Sequence, residues 1–345
     1  MDLIAEIGTP ANIQMTQSGT SDVAVIVINY DTAHLALSAV ESVLAFSHGS
    51  HHCEIHLVDN ASPQGDGDVL ETEVVSRGWQ DDVILYKETV NHGFGRGNNR
   101  VLNRLASRPS PPRYVFLLNP DAKLENDAIG ILADFLDARP KAAVAGAGIV
   151  KPGGIPVTAA FRFPGIISTF SSALSFGPVA RLLSRWNVPL SPSLSTSQVD
   201  WVAGAAVMLR FDAARAAGFF DPAYFLYYEE VDLMRQIKRL DWQIWFVSEA
   251  KVIHVEGAAT NVRSGQPKRR RKPAYWYQSW HHYFRKNHGR AVALAAALAW
   301  VLGAATNHLV SRIRRGQPSA PLMFFRDIWT FVFRPLLGLR ALPHE

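Results

Sequence analysis

Tyr114–Asp121 reads YVFLLNPD, five apolar residues that run straight into a polar triplet. A short unbroken apolar run suits a strand buried on both faces, and Pro120, which has no N–H, forbids further ladder pairing. The predicted strand stops there, and Asp121 falls just beyond its carboxyl end, where open α/β sheets bind their ligands. A carboxylate fixed at that point can hold a divalent cation, which in turn holds a diphosphate. The bland alternative is that Pro-Asp opens a turn and Asp121 caps the next helix.

Upstream, Val23–Tyr30 (VAVIVINY) is a second apolar run rich in β-branched residues, followed by Asp31, Thr32 and a helical pattern from His34 to Phe46. Glu54–Asn60 (EIHLVDN) repeats the theme, and Val83–Glu88 leads into Asn91–Asn99 (NHGFGRGNN), with a helix predicted from about Asn98 to Ser107. The Pro-rich connector Arg108–Arg113 then delivers the chain to YVFLLNPD. Strands alternating with helices predict a mainly parallel, right-handed α/β sheet. Each of the first four strands ends in polar or glycine residues that would face one crevice.

Downstream, Asn126–Arg139 reads as an amphipathic helix, Ala142–Val150 as a small-residue strand, and Lys151–Pro164 as a segment punctuated by Gly and Pro. Within Phe170–Gln198, an apolar helical piece at Val179–Trp186 precedes the Ser/Pro-rich loop Pro189–Gln198, whose length fits an acceptor-side lid. Val199–Arg210 reads as one strand with a small-residue centre at Gly204–Ala206, where backbone or ligand can come close. Phe211–Gly218 is a short helix and Phe219–Tyr228 an aromatic loop.

Taken singly, these signals are modest. Asp31, Asp59 and Asn60 suit hydrogen bonds to a pyrimidine and ribose, yet each is an ordinary turn or N-cap residue. Asn91, Gly93, Phe94, Arg96 and Asn98 lie in a glycine-rich stretch that resembles a phosphate cradle, although its spacing matches neither common phosphate-loop pattern. Arg96 suits a phosphate or solvent, and Trp201 a sugar face or the core. Tyr227–Leu240 (YYEEVDLMRQIKRL) has Leu233, Ile237 and Leu240 on one helical face, with Glu229, Glu230 and Asp232 in the first turn. Acids there are favoured by the helix dipole; a carboxylate aimed into an aromatic cleft also suits a general base. Trp242–Val247 and Lys251–Val255 read as strands, the second carrying His254, a structural residue or a metal ligand.

The composition, 48% hydrophobic and 19% charged over 345 residues, is that of a globular chain with room for a large core and a smaller appendage. A single cysteine, Cys53, excludes an internal disulfide framework and a multi-cysteine zinc site, and fits a reducing compartment. The net charge is only +5, but bases gather late, in KRRRK at Lys268–Lys272, in Arg285, Lys286 and Arg290, and in Arg312, Arg314 and Arg315. That asymmetry points to an anionic membrane surface or lipid phosphate, not to nucleic acid. Residues 1–22 lack a basic region followed by an apolar core and read as a loose leader. Tyr275–Gly289 is aromatic and basic, and the fifteen-residue apolar stretch Ala291–Ala305 is short for a membrane span. Interfacial or re-entrant helices are expected here and at Met323–Leu337; the alternative is a helical cap on the domain.

Assembled in order, VIVINYD, VDNAS, NHGFGRGNN, LLNPDA and FLYYEEVDLMRQIKRLDW, with KVIHVEGAAT behind them, resemble the family 2 glycosyltransferases of the GT-A fold, the bacterial rhamnosyltransferase-like members most closely. The resemblance covers about Val23 to Gly289. It implies a GT-A domain over 23–262, an α/β sheet flanked by helices, with a helical, membrane-interfacial region over 263–345. It implies nucleotide contacts at Asp31 and Asp59, a donor site that includes Asn119, Trp201 and Gly204, and an Mg2+ or Mn2+ site at Asp121, completed by His254. It implies a base at Glu230, or at Glu229 or Asp232, because the family's Glu-Asp pair is here Glu-Glu. Asn119 replaces the first carboxylate of the family's metal motif. The implied reaction is inverting transfer of rhamnose or a related deoxysugar from a dTDP- or UDP-linked donor to a glycan or polyprenyl-linked acceptor, at the cytoplasmic face of the cell membrane. Two rivals are a sugar nucleotidyltransferase, which wants a basic glycine-rich loop where this chain has NYDTAH, and a non-catalytic partner of a polysaccharide synthase.

Overall fold

The computed structural model of the protein describes residues 21–254 and 269–339. Most of the expected leader, the Glu256–Thr260 loop after His254 and Lys268 of the basic run lie outside the described residues.

The strands form where the apolar runs predict. β1 (Val23–Asn29), β2 (Cys53–Asp59), β3 (Val83–Lys87) and β4 (Tyr114–Leu118) are parallel neighbours in the spatial order β3-β2-β1-β4. β1 and β4 are buried along their whole length, as continuous apolar strands covered on both faces must be. α1 (Ala33–Leu44), α2 (Asp66–Ser76) and α3 (Gly93–Ala106) make the crossovers. Because these four strands are parallel, their carboxyl ends share one edge, and the residues after them line one crevice.

Beyond Pro120 the chain does not enter a helix. β5 (Ala122–Leu124) comes first, and α4 (Ala128–Asp137) is capped by Asp127, whose carboxylate accepts from the Gly130 N–H. Asp121 is therefore not a helix cap. β6 (Ala142–Val150) is followed by a two-stranded ribbon of β7 (Ala160–Phe161) and β9 (Trp201–Val202), which brackets α5 (Ile166–Leu174), α6 (Gly177–Leu182) and the edge strand β8 (Ser197–Gln198). β10 (Ala206–Arg210), α7 (Phe211–Ala216), α8 (Glu229–Arg239) and β11 (Gln243–His254) complete the sheet-bearing half. β10 joins β4 and β6 antiparallel, so the sheet is mixed but mostly parallel.

Two readings of the sequence need correction here. Val199–Arg210 is not one strand: the chain leaves the ladder between β9 and β10, and the Ala205 carbonyl instead accepts from the Asn119 N–H at 2.8 Å. Conversely, the two strands expected around His254 are one, with a register shift between Val247 and Lys251. After the shift, β11 pairs antiparallel with β5, His254 opposite Ala122, and this delivers the histidine to Asp121.

α9 (Ala274–Ile313) is bent at Gly289, which sits at φ 79°, ψ 169° and divides it into two helices. It is the one helix among the described residues long and apolar enough to cross a membrane, yet 39% of its most apolar window is buried inside the protein. Tyr277, Trp280, Tyr283 and Phe284 from its first half, and Ala293, Ala296, Ala297 and Ala304 from its second, form a second core with Tyr224 and Val231 of the sheet-bearing half. This is the helical-cap arrangement. Apolar side chains also remain outward: Leu298, Leu302, Leu309 and Ile313 are more than half exposed.

Candidate active site

At the first strand ends, Asn29 and Asp59 lie opposite each other in the β1–β2 register. The Asn29 amide donates to Asp59 Oδ1 at 3.1 Å and to Asp66 Oδ2 at 2.9 Å, and Asp66 also accepts from the Ala33 N–H at 2.8 Å. The Ser62 hydroxyl donates to Asp59 and accepts from the Asp31 N–H at 2.9 Å. Asp31 is thereby held in the left-handed region, φ 59°, with its side chain exposed at the crevice. Asn29 and Asp66 went unnoticed in the sequence. Asn29 is the last residue of an apolar run, and Asp66 opens a helix in an acidic, glycine-rich turn.

Asn60 and Asn91 are tied into the surrounding backbone. The Asn60 amide donates to Asn91 Oδ1 (3.1 Å) and the Gly93 carbonyl (3.3 Å), while its oxygen accepts from the His92 N–H (3.1 Å). Asn91 in turn accepts from the Gly93 N–H at 2.8 Å. Asn98 is buried and donates to the Phe94 carbonyl one turn back, so it too is internal. The glycine-rich stretch is not a cradle loop, because α3 already begins at Gly93. Gly93 sits at φ 74° with the Phe225 carbonyl where a Cβ would be, and Gly95 abuts Phe220 and Glu229. These glycines let α3 pack tightly against the aromatic loop and the acidic helix. Arg96 donates to the His92 carbonyl at 2.7 Å and lies 5.9 Å from the Phe225 ring.

Asp121 is almost fully buried, and its Oδ1 is 3.0 Å from His254 Nε2. Two side chains make half of a cation site: a hard divalent ion accepts one carboxylate and one imidazole when phosphate oxygens and water supply the rest. Among the described residues no cluster of three or more His, Cys, Asp or Glu side chains exists, so a cation bound here would lean on its substrate. Asn119 fixes the turn through its backbone.

Glu229 and Glu230 open α8. Tyr227 and Tyr228 before them adopt φ 70° and 69°, a conformation costly for bulky residues, of order 1–3 kcal/mol each. The pair is held by rings of α9: Tyr227 stacks on Tyr275 with centroids 6.0 Å apart, and Tyr228 lies 5.2 Å from Tyr283. The two carboxylates then diverge. Gly95 lies against the Glu229 Cβ under α3, and the Gly204 backbone lies against Glu230, with Phe94 alongside. In each glutamate Oε2 is buried without a protein hydrogen-bond partner. Burial pushes both proton affinities above the ordinary carboxylate range, Glu229 further because the Glu230 charge adds to it. Glu230 lines a cavity of about 460 Å³ whose walls include Trp201, Tyr227 and Tyr228. Trp201 stacks on Phe161, centroids 4.0 Å apart, and its indole N–H donates to the Arg162 carbonyl.

Asp232 does not share this setting. Lys286 (2.6 Å), Asn287 (2.6 Å) and Gln236 (3.1 Å) occupy its carboxylate. Lys286 also pairs with Asp221 at 2.7 Å, and His282 reaches Asp221 at 2.9 Å. Burial alone would raise the Asp221 carboxyl, but His282 and Lys286 outweigh it and hold it at about 2.

A run of contacts thus joins the site from end to end. Asn60 meets Gly93, α3 meets Glu229, Glu230 meets Gly204, the Ala205 carbonyl meets Asn119, and Asp121 meets His254.

Comparison with known proteins bears on the family and the fold. Residues 24–171 match the model of glycosyl transferase family 2. N-acetylglucosaminyl-diphospho-decaprenol L-rhamnosyltransferase of Mycobacterium tuberculosis is 28% identical over 187 residues, 52% of this chain and 61% of that protein. Rhamnosyltransferase WbbL of Escherichia coli is 23% identical over 229 residues, 61% of this chain and 82% of WbbL. In structure, the chain resembles a mannosyltransferase of Pyrobaculum calidifontis solved with GDP-Man and Mn2+ (TM-score 0.52, 14% identity, 88% of this chain and 79% of that one). It also resembles GalNAc-T7 solved with UDP, GalNAc and Mn2+ (TM-score 0.54, 11% identity, 93% of this chain and 59% of that one). Residues 24–171 are therefore similar to family 2 glycosyltransferases, the chain has the GT-A fold, and its sequence is similar to those of bacterial rhamnosyltransferases.

Proposed function

We propose that this protein transfers a sugar, rhamnose or a related deoxysugar, from a nucleotide diphosphate to a hydroxyl of a lipid-linked glycan acceptor, with inversion at the anomeric carbon. The observation that carries the reading is Glu230: a buried carboxylate oxygen without a protein partner, on the wall of an aromatic cavity, within a contact run that reaches Asp121. Such a group is built to take a proton.

Asp31 and Asp59 would receive the nucleoside, their positions set by Ser62, Asn29 and Asp66. Glu230 removes the proton from the acceptor hydroxyl. The freed oxygen attacks the anomeric carbon from the face opposite the diphosphate, and the bond to the diphosphate oxygen breaks with its electron pair leaving on that oxygen. Asp121 and His254 would hold a divalent cation, Mg2+ or Mn2+, whose charge offsets the one developing on the leaving group. Burial and the Glu230 charge raise the Glu229 proton affinity further than that of Glu230, so Glu229 is the harder of the two to ionise.

The relatives' names support a rhamnosyl donor and a polyprenyl-diphosphate carrier, and the solved neighbours support a nucleotide donor with a divalent cation. Membrane association is part of the proposal. Leu298, Leu302, Leu309 and Ile313 make an exposed apolar stripe on the second half of α9, Phe325 packs beside His308 on the same half, and Arg312, Arg314 and Arg315 follow. An apolar stripe flanked by cations suits the surface of an anionic membrane.

The test is turnover across a panel of nucleotide sugars, with and without Mg2+ or Mn2+, in wild type, Asp121→Ala and Glu230→Gln. Metal-dependent consumption of one donor, lost in Asp121→Ala and strongly reduced in Glu230→Gln, is expected. Tight nucleotide binding without turnover on any acceptor would move the chain to the non-catalytic reading.

A further inference from the structure

The cavity at Glu230 is larger than the carboxylate needs, and much of its wall comes from α5, α9 and Ser319–Pro321. Trp276, Trp280, Trp300 and Ala304 of α9, Ser168, Thr169 and Ser172 of α5 and Ser319–Pro321 enclose it together with Trp201 and Glu230. Its volume of about 460 Å³ falls within the range of small-molecule sites. Indole faces stand against serine and threonine hydroxyls, which is the lining that suits a saccharide: ring C–H groups pack on the aromatics while ring hydroxyls find polar partners.

Charge narrows the occupant further. The one ionisable carboxyl or amine in the lining is Glu230, so an anion brought inside would be desolvated beside an acid and without a cation. The cations stand at the edge. Arg269 donates to the Ala320 and Pro321 carbonyls, fixing that wall, Lys272 lies 5.6 Å from the Trp276 ring, and Arg270 and Lys272 are exposed.

We infer that this cavity is the acceptor's sugar site, that it takes an uncharged saccharide ring against Trp201 and Trp276, and that it leaves an anionic carrier outside, at the basic edge formed by Arg270 and Lys272. The inference rests on the glycosyltransfer reading for its purpose, since the hydroxyl to be deprotonated has to lie beside Glu230. It adds that the C-terminal helices recognise the acceptor as well as supporting the fold.

The experiment titrates three amphiphiles of equal chain length into the full chain below their micelle concentrations: octyl glucoside, octyl phosphate and octyl tetraethylene glycol. Tryptophan fluorescence reports binding, because four indoles line the cavity. The expected result is that octyl glucoside binds at least tenfold tighter than the other two. Ser172→Trp, an exposed position at the cavity wall, should weaken glucoside binding tenfold or more, and so should Ser319→Trp. Lys272→Glu should leave the glucoside unchanged while weakening a glycosyl diphosphate lipid.

Equal binding of octyl tetraethylene glycol would make the cavity a seat for an alkyl chain and overturn the proposal. Tighter octyl phosphate would make it an anion site, and glucoside binding indifferent to both tryptophan variants would place the sugar elsewhere; either result also overturns it. The two readings fail separately. Wild type without turnover of any nucleotide sugar sinks the glycosyltransfer reading, whereas binding indifferent to the variants in a protein that turns its donor over sinks this one.

Discussion

The two banks of the crevice are built on opposite principles. On the bank formed by β1, β2 and β4, the polar groups have partners: Asn29 joins Asp59 to Asp66, Ser62 joins Asp59 to Asp31, and Asp121 meets His254. On the bank formed by α8 and α9, two glutamates are buried with an oxygen apiece unpartnered, behind two tyrosines in a left-handed conformation. The first bank is fixed before any ligand arrives. The second holds desolvated charge in place only because a second aromatic core braces it. A donor with a constant nucleotide suits a fixed receptor, and a proton acceptor gains strength from being kept out of water.

The largest effect should come from breaking the second bank at its centre. Glu230→Gln should lower kcat by on the order of 10²–10⁴ while donor affinity holds, whereas Glu229→Gln should lower it less. A larger loss in Glu229→Gln would exchange their roles. Because burial raises the Glu230 proton affinity, the acidic limb of the wild-type rate profile should lie above the ordinary glutamate range.

On the first bank, Asp121→Asn should reduce turnover by on the order of 10²–10³ and abolish Mn2+ binding to the nucleotide complex, read by electron paramagnetic resonance. Unchanged Mn2+ affinity would remove Asp121 from the cation site.

Next comes the bracing itself. Lys286→Met leaves Asp232 buried without its cation, and the protein should lose about 1–3 kcal/mol in urea denaturation, with kcat falling in parallel. Lys87→Met, which removes a surface cation from Asp68 and Glu71, should change stability by less than about 1 kcal/mol. Equal losses would erase the distinction between bracing and surface pairing.

The smallest effect is a titration. Glu229 binds its proton more tightly folded than unfolded, so its contribution to stability is complete below the ordinary glutamate range and is lost as pH rises through the raised folded value. Glu229→Gln should therefore raise Tm at pH 8 and leave it nearly unchanged at pH 4. A shift independent of pH would show that packing, not ionisation, separates the two side chains.

The first bank was largely legible in the sequence. Apolar runs ending in Tyr30–Asp31, Asp59–Asn60 and Asn119–Asp121 announce parallel strands, and parallel strands put their ends on one edge. What the sequence hid were contacts between residues far apart in the chain. Nothing local says that Asn60 spends its amide on Asn91 and Gly93, or that a register shift in β11 carries His254 to Asp121. The glycines of NHGFGRGNN suggested a loop because glycine disfavours helices, but here close packing on Phe220, Phe225 and Glu229 outweighs propensity. On the second bank the acidic helix start was visible, but its division into Glu229, Glu230 and a structurally committed Asp232 depends on Lys286, 54 residues away. The aromatic, basic stretch Tyr275–Gly289 suggested interfacial helices because the cavity its tryptophans line is assembled from α5 and the sheet-bearing half, which no local pattern records.

The shared core of Tyr224, Val231 and α9 also sets an order of events during synthesis. The ribosome releases β1–β4 first, and at roughly 5–20 residues per second the chain through Phe284 and Lys286 follows on the order of ten seconds or more later. Until it does, Tyr227 and Tyr228 have no rings to hold them and Asp232 no cation. A nascent chain can thus form β1–β4 before Glu229 and Glu230 are in place, and the second bank assembles last.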